Sequence, residues 1–401
     1  MRVLVSDCLR GVACRFDGSS KSSRSVKRLC EKVEVVGVCP EIAAGLSVPR
    51  PPAEQVGDRV RLIDGSDVTE DFRRGAQLSL DRARSRGALK KGAPLAVLKG
   101  KSPSCGVGLV YDGSHSGRLI KGDGVFVRLL KKEGVCVVSE DVVKACEPSV
   151  EHPVALVLGS GLGHLAKLVR PVRRIDYHDI DGFPADATPV RDHRFELTIG
   201  TIDEVPVVVY PGRIHLYQGY SAAEVTSLVR HARHLGCRDI IFACATGAVT
   251  GNAHVGLGIL TDQINLTGRN PLIEWDGIRD VETPFVGMVD AYTPYLRTLA
   301  RGVADDLGIA VDEGVYAGVL GPCFETPAEI GMMRALGVSY VGMSTVNEVI
   351  MAHALGMNVL GLTLATNESG DPDTSHESVL EVAGRYASDF ERLVRGVLHL
   401  L

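Results

Sequence analysis

No two cysteines of this 401-residue sequence form a CxxC pair, so no short spacing fixes a metal by itself. No apolar run is both long enough and free enough of charge to cross a membrane, and no basic-then-apolar leader opens the chain. These absences set a cytoplasmic enzyme as the expectation and exclude a membrane partner. Internal repeats and low-complexity segments are also missing. The G-x-G-x-x-G spacing of dinucleotide-binding enzymes is missing too, which argues against an oxidoreductase. Aromatic residues make up only 5% of the chain, and few fall in its basic first half. With little to stack on bases and its charges scattered, that half is not a nucleic-acid surface.

What is present points to two units. The length exceeds that of one typical domain. The net charge of −5 conceals a reversal: residues 1–150 carry 26 Lys and Arg against 18 Asp and Glu, and residues 151–401 carry 18 against 31. The polar, proline-bearing stretch 146–153 falls at that reversal, so domains are expected over 1–147 and 152–401. Short runs such as "MRVLVSD", "VEVVGVC" and "APLAVLKG", then "VALVLGSG", "VPVVVYPG", "DIIFACATG", "VSYVGMS" and "NVLGLTLATN", read as strands buried on both faces. They alternate with helix-length charged segments. The fold class is therefore α/β, with two domains, each a mainly parallel or mixed sheet flanked by helices. In such sheets ligands bind at the carboxyl ends of strands.

Several residue clusters follow strands of the second half. "LVLGSGLGHLA" reads as a strand, a glycine turn and a helix, with Ser160 as a hydroxyl donor to an anion. A glycine-rich turn is by itself often only a turn. After "VPVVVY", continued extension would set Arg213, His215 and Tyr217 on one face, where guanidinium and imidazole suit an oxyanion. Ser344 adds a hydroxyl, Asn367 a donor and an acceptor, and His376 sits in a polar loop. In "GPCFETPAEI", Thr326 reads as a helix N-cap, Pro327 as the first helical residue and Glu329 as the capping-box partner. That leaves Phe324 and Glu325 unexplained: a carboxylate beside an aromatic face.

In the first half Cys8, Cys39 and Cys105 each follow a strand, and parallel strand ends can converge. Three thiolates suit a soft metal or an iron–sulfur cluster; three buried cysteines with no shared role remain the alternative. Cys30, Cys136 and Cys146 read as core or surface thiols, and Cys14 is ambiguous.

Residues 154–401 closely resemble the trimeric purine nucleoside phosphorylases, in which "GSGLG", "GRIHLYQGY", "INLTGRNPL", "GPCFETPAEI" and "VGMST" recur in this order. The resemblance implies a nucleoside phosphorylase fold and cleavage of a purine nucleoside by phosphate, as co-substrate, to free base and pentose 1-phosphate. It implies phosphate contacts from Ser160, His193, Arg213, His215 and Ser344 with the backbone at Ala245. It implies sugar contacts from Tyr217, Met343 and His376, with Phe285 reaching a neighbouring subunit of a homotrimer. Phe324, Glu325 and Asn367 would hold the base, and Asn367, Glu325 and His215 would act in catalysis. Glu325 as an acceptor favours 6-oxopurines, which present N1–H, over adenine. Departures stand at Asp192, Cys244, Thr246 and Gln263; Cys244 and Thr246 are expected to reshape the base pocket. They keep a 5′-methylthioinosine or methylthioadenosine phosphorylase, with a non-catalytic metal-binding first domain, as the alternative.

"SDCLRGVACRFDG", "CPEIAAGLSVPRPPAE", "GSDVT" and "KGKSPSCG" closely resemble the DUF523 family, over roughly residues 1–145. Its members are similar to thiouracil desulfidases. The resemblance implies a [4Fe–4S] cluster on Cys8, Cys39 and Cys105, with Glu41 and Ser102 moving protons during removal of sulfur from a thiolated base. Cys14 is the weaker ligand choice, because relatives often have valine there.

Overall fold

The computed structural model describes residues 1–90, 92–190, 193–275, 277, 285–371 and 376–401, with side chains of the last stretch from 380 onward. Asp192 lies outside them. Contacts divide the chain into two compact units, Met1–Glu147 with Leu400–Leu401, and Pro148–His399. Among the described residues no helix is long and apolar enough to cross a membrane.

In the first unit the strands are β1 Arg2–Ser6, β2 Glu34–Val38, β3 Ala53–Val56, β4 Arg59–Leu62, β5 Leu95–Leu98, β6 Leu109–Tyr111, β7 Leu119–Lys121 and β8 Cys136–Ser139. β3–β4 and β6–β7 are small hairpins, and the rest form one sheet in the order β2-β1-β5-β8. All its neighbours are parallel. Register then decides where the cysteines fall. β1 and β2 start together, Arg2 opposite Glu34, and finish together, Ser6 opposite Val38. Cys8 and Cys39 therefore emerge at the same sheet edge, within two residues of their strand ends.

The core of this unit joins Leu4, Val36, Val38, Ala96 and Leu98 of the sheet to Ala76, Leu80 and Ala83 of the helix Thr69–Ser85. These three follow helical spacing and form one apolar stripe. Gly75 lies on the same helix where a Cβ would sit 2.0 Å from the Pro40 carbonyl oxygen, so the turn just after Cys39 packs directly on helix backbone.

In the second unit the strands are β9 Val154–Leu158, β10 Arg170–Asp176, β11 Glu196–Ile202, β12 Val205–Tyr210, β13 Asp239–Ala248, β14 Gly256–Asn265, β15 Val311–Gly318, β16 Val338–Gly342 and β17 Asn358–Glu368. They form a mixed sheet in the order β10-β11-β12-β9-β13-β16-β15-β14-β17. β17 also pairs with β13 over ten residue pairs, from Asp239–Asn358 to Ala248–Glu368. That pairing closes β13, β16, β15, β14 and β17 into a ring, which β9, β12, β11 and β10 extend.

Two local expectations change. After the glycine turn the chain makes a 3₁₀ segment, Gly163–Leu168, rather than an α-helix, because β10 begins only two residues later. His376 opens the last helix, His376–Leu400, instead of lying in a loop. Its side chain lies outside the described residues. The helix Pro327–Ala335 starts as read: Thr326 caps Glu329 N–H, and the Glu329 carboxylate accepts from Thr326 N–H over 2.7 Å.

Candidate functional site

β12 ends at Tyr210, and the chain does not run on extended to Tyr217, since Leu216–Gln218 forms a 3₁₀ turn. Arg213, His215 and Tyr217 consequently do not share one strand face. Arg213 turns inward and is 1% exposed. Its Nη1 donates to Glu348 Oε2 over 2.6 Å and to Thr345 Oγ1 over 3.4 Å. Its Nη2 donates to the carbonyls of Val157 at 3.1 Å and Ala243 at 2.7 Å. The guanidinium is thus held by β9, β13 and the loop after β16, with Nε the nitrogen left without a partner. Neighbouring segments fit tightly around it. A Cβ on Gly159 would lie 3.0 Å from the Ala243 carbonyl, and one on Gly212 would lie 2.7 Å from His193 Cβ. Tyr177, buried in an aromatic cluster with Phe183, Phe195 and Tyr210, donates its hydroxyl to the Gly212 carbonyl over 2.9 Å.

Glu348 also fixes the loop that carries Met343 and Ser344. The same Oε2 accepts from Thr345 N–H over 3.0 Å. Thr345 is buried with φ of 68° and ψ of −49°. Val346 N–H closes on the Ser344 carbonyl over 2.8 Å, a γ-turn of the strained hand. A non-glycine residue held there stores about 1–3 kcal/mol, released only if its surroundings let go. Tyr316 donates its hydroxyl to the Ser344 carbonyl over 3.0 Å and steadies the turn from β15.

On this frame lies a row of side chains. Ser160 Oγ is 3.5 Å from His193 Nε2. His193 Nδ1 lies 2.8 Å from the Arg213 carbonyl and 3.1 Å from its N–H, which hold the ring in either tautomer. The rings of His193 and His215 stack at 5.4 Å, and those of His215 and Tyr217 at 4.7 Å. His215, Met343 and Ser344 share a small cavity of about 20 Å³ with Asn347 and Glu348. Three buried atoms of its lining, His215 Nδ1, Asn347 Oδ1 and Glu348 Oε1, have no protein partner. Burial, reinforced by the nearby His193 and Arg213, holds the His215 imidazole well below its ordinary range. It is a neutral donor or acceptor at pH 7, and the Arg213 charge is already met by Glu348. Hydroxyls, imidazoles and backbone N–H groups are therefore what this row offers an oxyanion.

The base-side candidates do not line that small cavity. Asn367 is half-buried on β17 opposite Gly247. Its Oδ1 accepts from Thr366 Oγ1, and its Nδ2 donates to the Glu368 carbonyl over 3.1 Å. Glu325 is half-buried, and burial pushes its carboxyl up; Phe324 is 58% exposed. Gly321 of the same loop packs on Met343, with the site of a Cβ only 2.4 Å from Sδ. Phe285 is 93% exposed. The expectation for Cys244 and Thr246 is corrected. Burial alternates along the end of β13, leaving Ala245 and Gly247 on the open face. Cys244 and Thr246 are enclosed, with Thr246 Oγ1 2.7 Å from Thr363 Oγ1. Gln263 is likewise structural, donating to the Val346 carbonyl at 3.2 Å and accepting from Tyr292 at 3.1 Å.

In the first unit Cys8, Cys39 and Cys105 do line one cavity, of about 650 Å³, together with Glu41, Ser102 and Cys14. Cys30, Cys136 and Cys146 do not. The Cys14 thiol lies near those of Cys39 and Cys8, and Cys39 Sγ donates to the Cys14 carbonyl over 3.9 Å. The Cys39 contact lowers its pKa, and the Cys8 contact with burial raises it further, to about 11. Contact with Cys14 and burial push Cys39 up, and burial pushes Cys105 up. Glu41 Oε2 accepts from Arg50 Nε at 2.8 Å and Nη2 at 2.5 Å, which leaves Oε1 free of that pair. Ser102 Oγ accepts from the N–H groups of Ser104 and Cys105, each at 3.1 Å, and so shapes the turn that presents Cys105. Among the described residues no three His, Cys, Asp or Glu side chains close on a single metal ion. Several buried thiols around one cavity are nonetheless the donor set a thiolate-ligated cluster takes, and a cluster spaces its thiolates more widely than one ion does.

Sequence reasoning missed Glu348, Thr345 and Arg50. Thr345 and Glu348 have capping-box spacing, a readable signal, but nothing in it announces that Glu348 also neutralises Arg213. Removing Glu348 alone would strand a buried guanidinium. Glu348→Ala is expected to lose about 3–5 kcal/mol, read by denaturant unfolding, whereas Glu348→Gln, which keeps an acceptor, should lose less. Acid stability gives a second check. Burial also lowers His231, to about 4, with His234 adding to it. Unfolded, both His215 and His231 bind protons near 6.5. Their contribution is whole above that pH and is lost as pH falls towards the folded values, at about 1.4 kcal/mol per pH unit per group. The slope of Tm against pH between 6.5 and 4 should flatten in His215→Gln; an unchanged slope would contradict a neutral His215.

Residues 153–399 match the phosphorylase superfamily, and residues 3–142 match the 2-thiouracil desulfurase family. The chain is 40% identical over 249 residues to a protein named purine nucleoside phosphorylase 1 from Bacillus subtilis (strain 168), which covers 61% of this chain and 91% of that one. It is similar in structure to Schistosoma mansoni purine nucleoside phosphorylase solved in complex with inosine, with 33% identity, a TM-score of 0.58, and coverage of 64% of this chain and 92% of that one. The same Schistosoma enzyme in complex with adenosine matches with 33% identity and a TM-score of 0.57, over 62% of this chain and 91% of that one. The chain accordingly belongs to the phosphorylase superfamily, fused to a domain of the 2-thiouracil desulfurase family.

Proposed function

We propose that the second unit is a purine nucleoside phosphorylase acting on inosine- and guanosine-type nucleosides. The observation that carries the reading is the row Ser160, His193 and His215, meeting Ser344 on a loop pinned by the Arg213–Glu348 pair. Phosphate lies along the row, taking hydrogen bonds from the two hydroxyls, the imidazoles and backbone N–H near Ala245. Arg213 acts from behind, placing His193 through its own main chain.

The ribose lies against Tyr217 and Met343. As the glycosidic bond lengthens, positive charge gathers at the anomeric carbon and negative charge flows into the purine. Phosphate held beside that carbon stabilises the cation and captures it without diffusion. The Asn367 amide would hydrogen-bond N7 as the base becomes anionic. Glu325 accepts from N1–H, and the open face of Phe324 stacks on the ring. Adenine N1 is an acceptor and gives Glu325 nothing. A relative binds adenosine as well as inosine, so the discrimination is to be sought in turnover rather than in occupancy. Phe285, exposed in the single chain, suits a residue that completes the site of a neighbouring copy in a homotrimer. The free cysteines suit a cytoplasmic setting.

The first unit we read as a desulfurase domain. Cys8, Cys39 and Cys105 would hold a [4Fe–4S] cluster, which when bound supplies an iron able to take sulfur from a thiolated base. Glu41 Oε1 and the Ser102 hydroxyl are placed in the same cavity to accept and deliver protons.

Turnover of inosine should require phosphate; equal rates without it would make the enzyme a hydrolase. Ser160→Ala should raise the phosphate KM about tenfold with kcat little changed, the loss of one hydrogen bond to an anion. Glu325→Ala should lower kcat/KM for inosine by about 10²-fold and leave adenosine nearly unaffected. For the first unit, protein purified without oxygen should contain about four irons and four sulfides per chain, and Cys39→Ala should lose them.

A further inference from the structure

We propose that Cys14 is a fourth, displaceable thiolate of the cysteine site, filling the position that a sulfur-bearing ligand takes. The inference rests on the desulfurase reading of the first unit and concerns a residue which that reading leaves without a role.

Four observations lead to it. Seven cysteines lie in this unit, and the four around the cavity include Cys14. Cys14 shares the cavity lining with Cys8 and Cys39, two of the three proposed ligands, and Cys39 Sγ donates to the Cys14 carbonyl over 3.9 Å. Burial is selective along its loop: Val12 is 48% exposed and Phe16 is 38% exposed, yet Cys14 between them is 6% exposed. The loop thus encloses the thiol and leaves both larger apolar side chains open. Finally, the loop is anchored rather than draped. Arg50 Nη2 donates to the Cys14 carbonyl over 3.0 Å, and Arg50 N–H donates to the Phe16 carbonyl over 2.8 Å. The same Arg50 nitrogen binds Glu41, so the Cys14 loop and the proposed proton carrier share one support.

The chemistry follows from this placement. With three cysteine ligands one iron of the cluster would lack a protein thiolate, beside a cavity whose lining mixes cations such as Lys99 and Lys101 with carboxylates such as Glu54 and Glu140. Cys14 closes that position on losing its thiol proton to solvent, and on displacement it takes a proton back. No electron moves in either direction. Arg50 responds to a Cys14 shift because it holds the backbone there, and Glu41 feels the change through the same guanidinium.

The test uses the full chain, reconstituted without oxygen, as parent, Cys14→Ala and Cys14→Ser. Iron, acid-labile sulfide and electron paramagnetic resonance are read before and after ferricyanide, and after addition of cyanide as a small iron ligand. The parent should keep its iron against ferricyanide and answer cyanide only at higher concentration than Cys14→Ala, as cyanide displaces Cys14. Cys14→Ala should load the same iron, then lose one iron per chain to ferricyanide with a three-iron signal, and its reduced spectrum should change with cyanide. Cys14→Ser should fall between. The same three-iron signal and cyanide response in parent and Cys14→Ala would remove Cys14 from the ligand set while leaving the cluster reading intact. Loss of all iron from Cys14→Ala, with unchanged circular dichroism, would make it a fixed anchor and overturn displacement. No iron in the parent would sink the cluster reading, and this inference with it.

Discussion

The second unit depends on one buried ion pair. Glu348 holds Arg213 with one carboxylate oxygen and the strained Thr345 N–H with the same oxygen. Arg213 in turn holds β9 and β13 by their carbonyls, and its main chain holds His193. His193 reaches Ser160. The placement of four site residues therefore passes through a single contact. Buried pairs of this kind seldom add net stability over a well-packed apolar equivalent, because desolvating both charges costs about as much as their attraction returns. What this one supplies is geometry: it keeps a γ-turn that no free chain would hold, so that Ser344 and His215 meet at one cavity.

The first unit uses a similar device. Arg50 is nearly buried, is paired with Glu41, and donates to the carbonyl of the loop that bears Cys14. In both units an arginine that looks available for an anion is spent on a carboxylate and on backbone oxygens. The guanidinium suits this because its donors spread in a plane and can serve several acceptors at once. The groups this leaves to meet a ligand include hydroxyls and imidazoles in one unit and thiols in the other. That division already sorts ligand classes. Hydroxyls and imidazoles hydrogen-bond oxygen anions, and thiolates bind soft metals and sulfur.

Legibility in the sequence followed the physics of each feature. The strands were readable because both faces of these parallel sheets are covered, which forces continuous apolar runs. The start of the helix at Thr326 was readable because capping is local. The meeting of Cys8 and Cys39 was inferable because parallel strand ends finish together. Arg213 was misread because strand alternation was carried past Tyr210, and the turn that ends it is set by tertiary contacts such as Tyr177 to Gly212. Cys244 and Thr246 were misjudged for a related reason. Residue type does not reveal which parity of β13 faces the open side; that depends on β17 pairing back and closing the ring. Glu348 and Arg50 were invisible as partners because Arg213 and Glu41, which they pair with, lie 135 and 9 residues away, and such pairing leaves no local pattern.

Closure of the ring also bears on how the base is read. β17 pairs with β14 as far as Ala365 and with β13 as far as Glu368, so Asn367 is held on the β13 edge alone, opposite Gly247. Glu325 sits on a loop, outside any strand, steadied by the cap at Thr326 and by the packing of Gly321 on Met343. The two proposed base contacts thus stand on different supports, a strand end and a loop. In the proposed reading Asn367 serves N7, where charge develops and a small displacement would forfeit much of the stabilisation. Glu325 serves the N1 edge, where purines differ and the partner has only to be accepted or refused. Burial already raises the Glu325 carboxyl, so an N–H donor would relieve it, whereas an acceptor at N1 would leave it buried and unpaired. On this proposal selectivity comes from the cost of a missing hydrogen bond more than from shape.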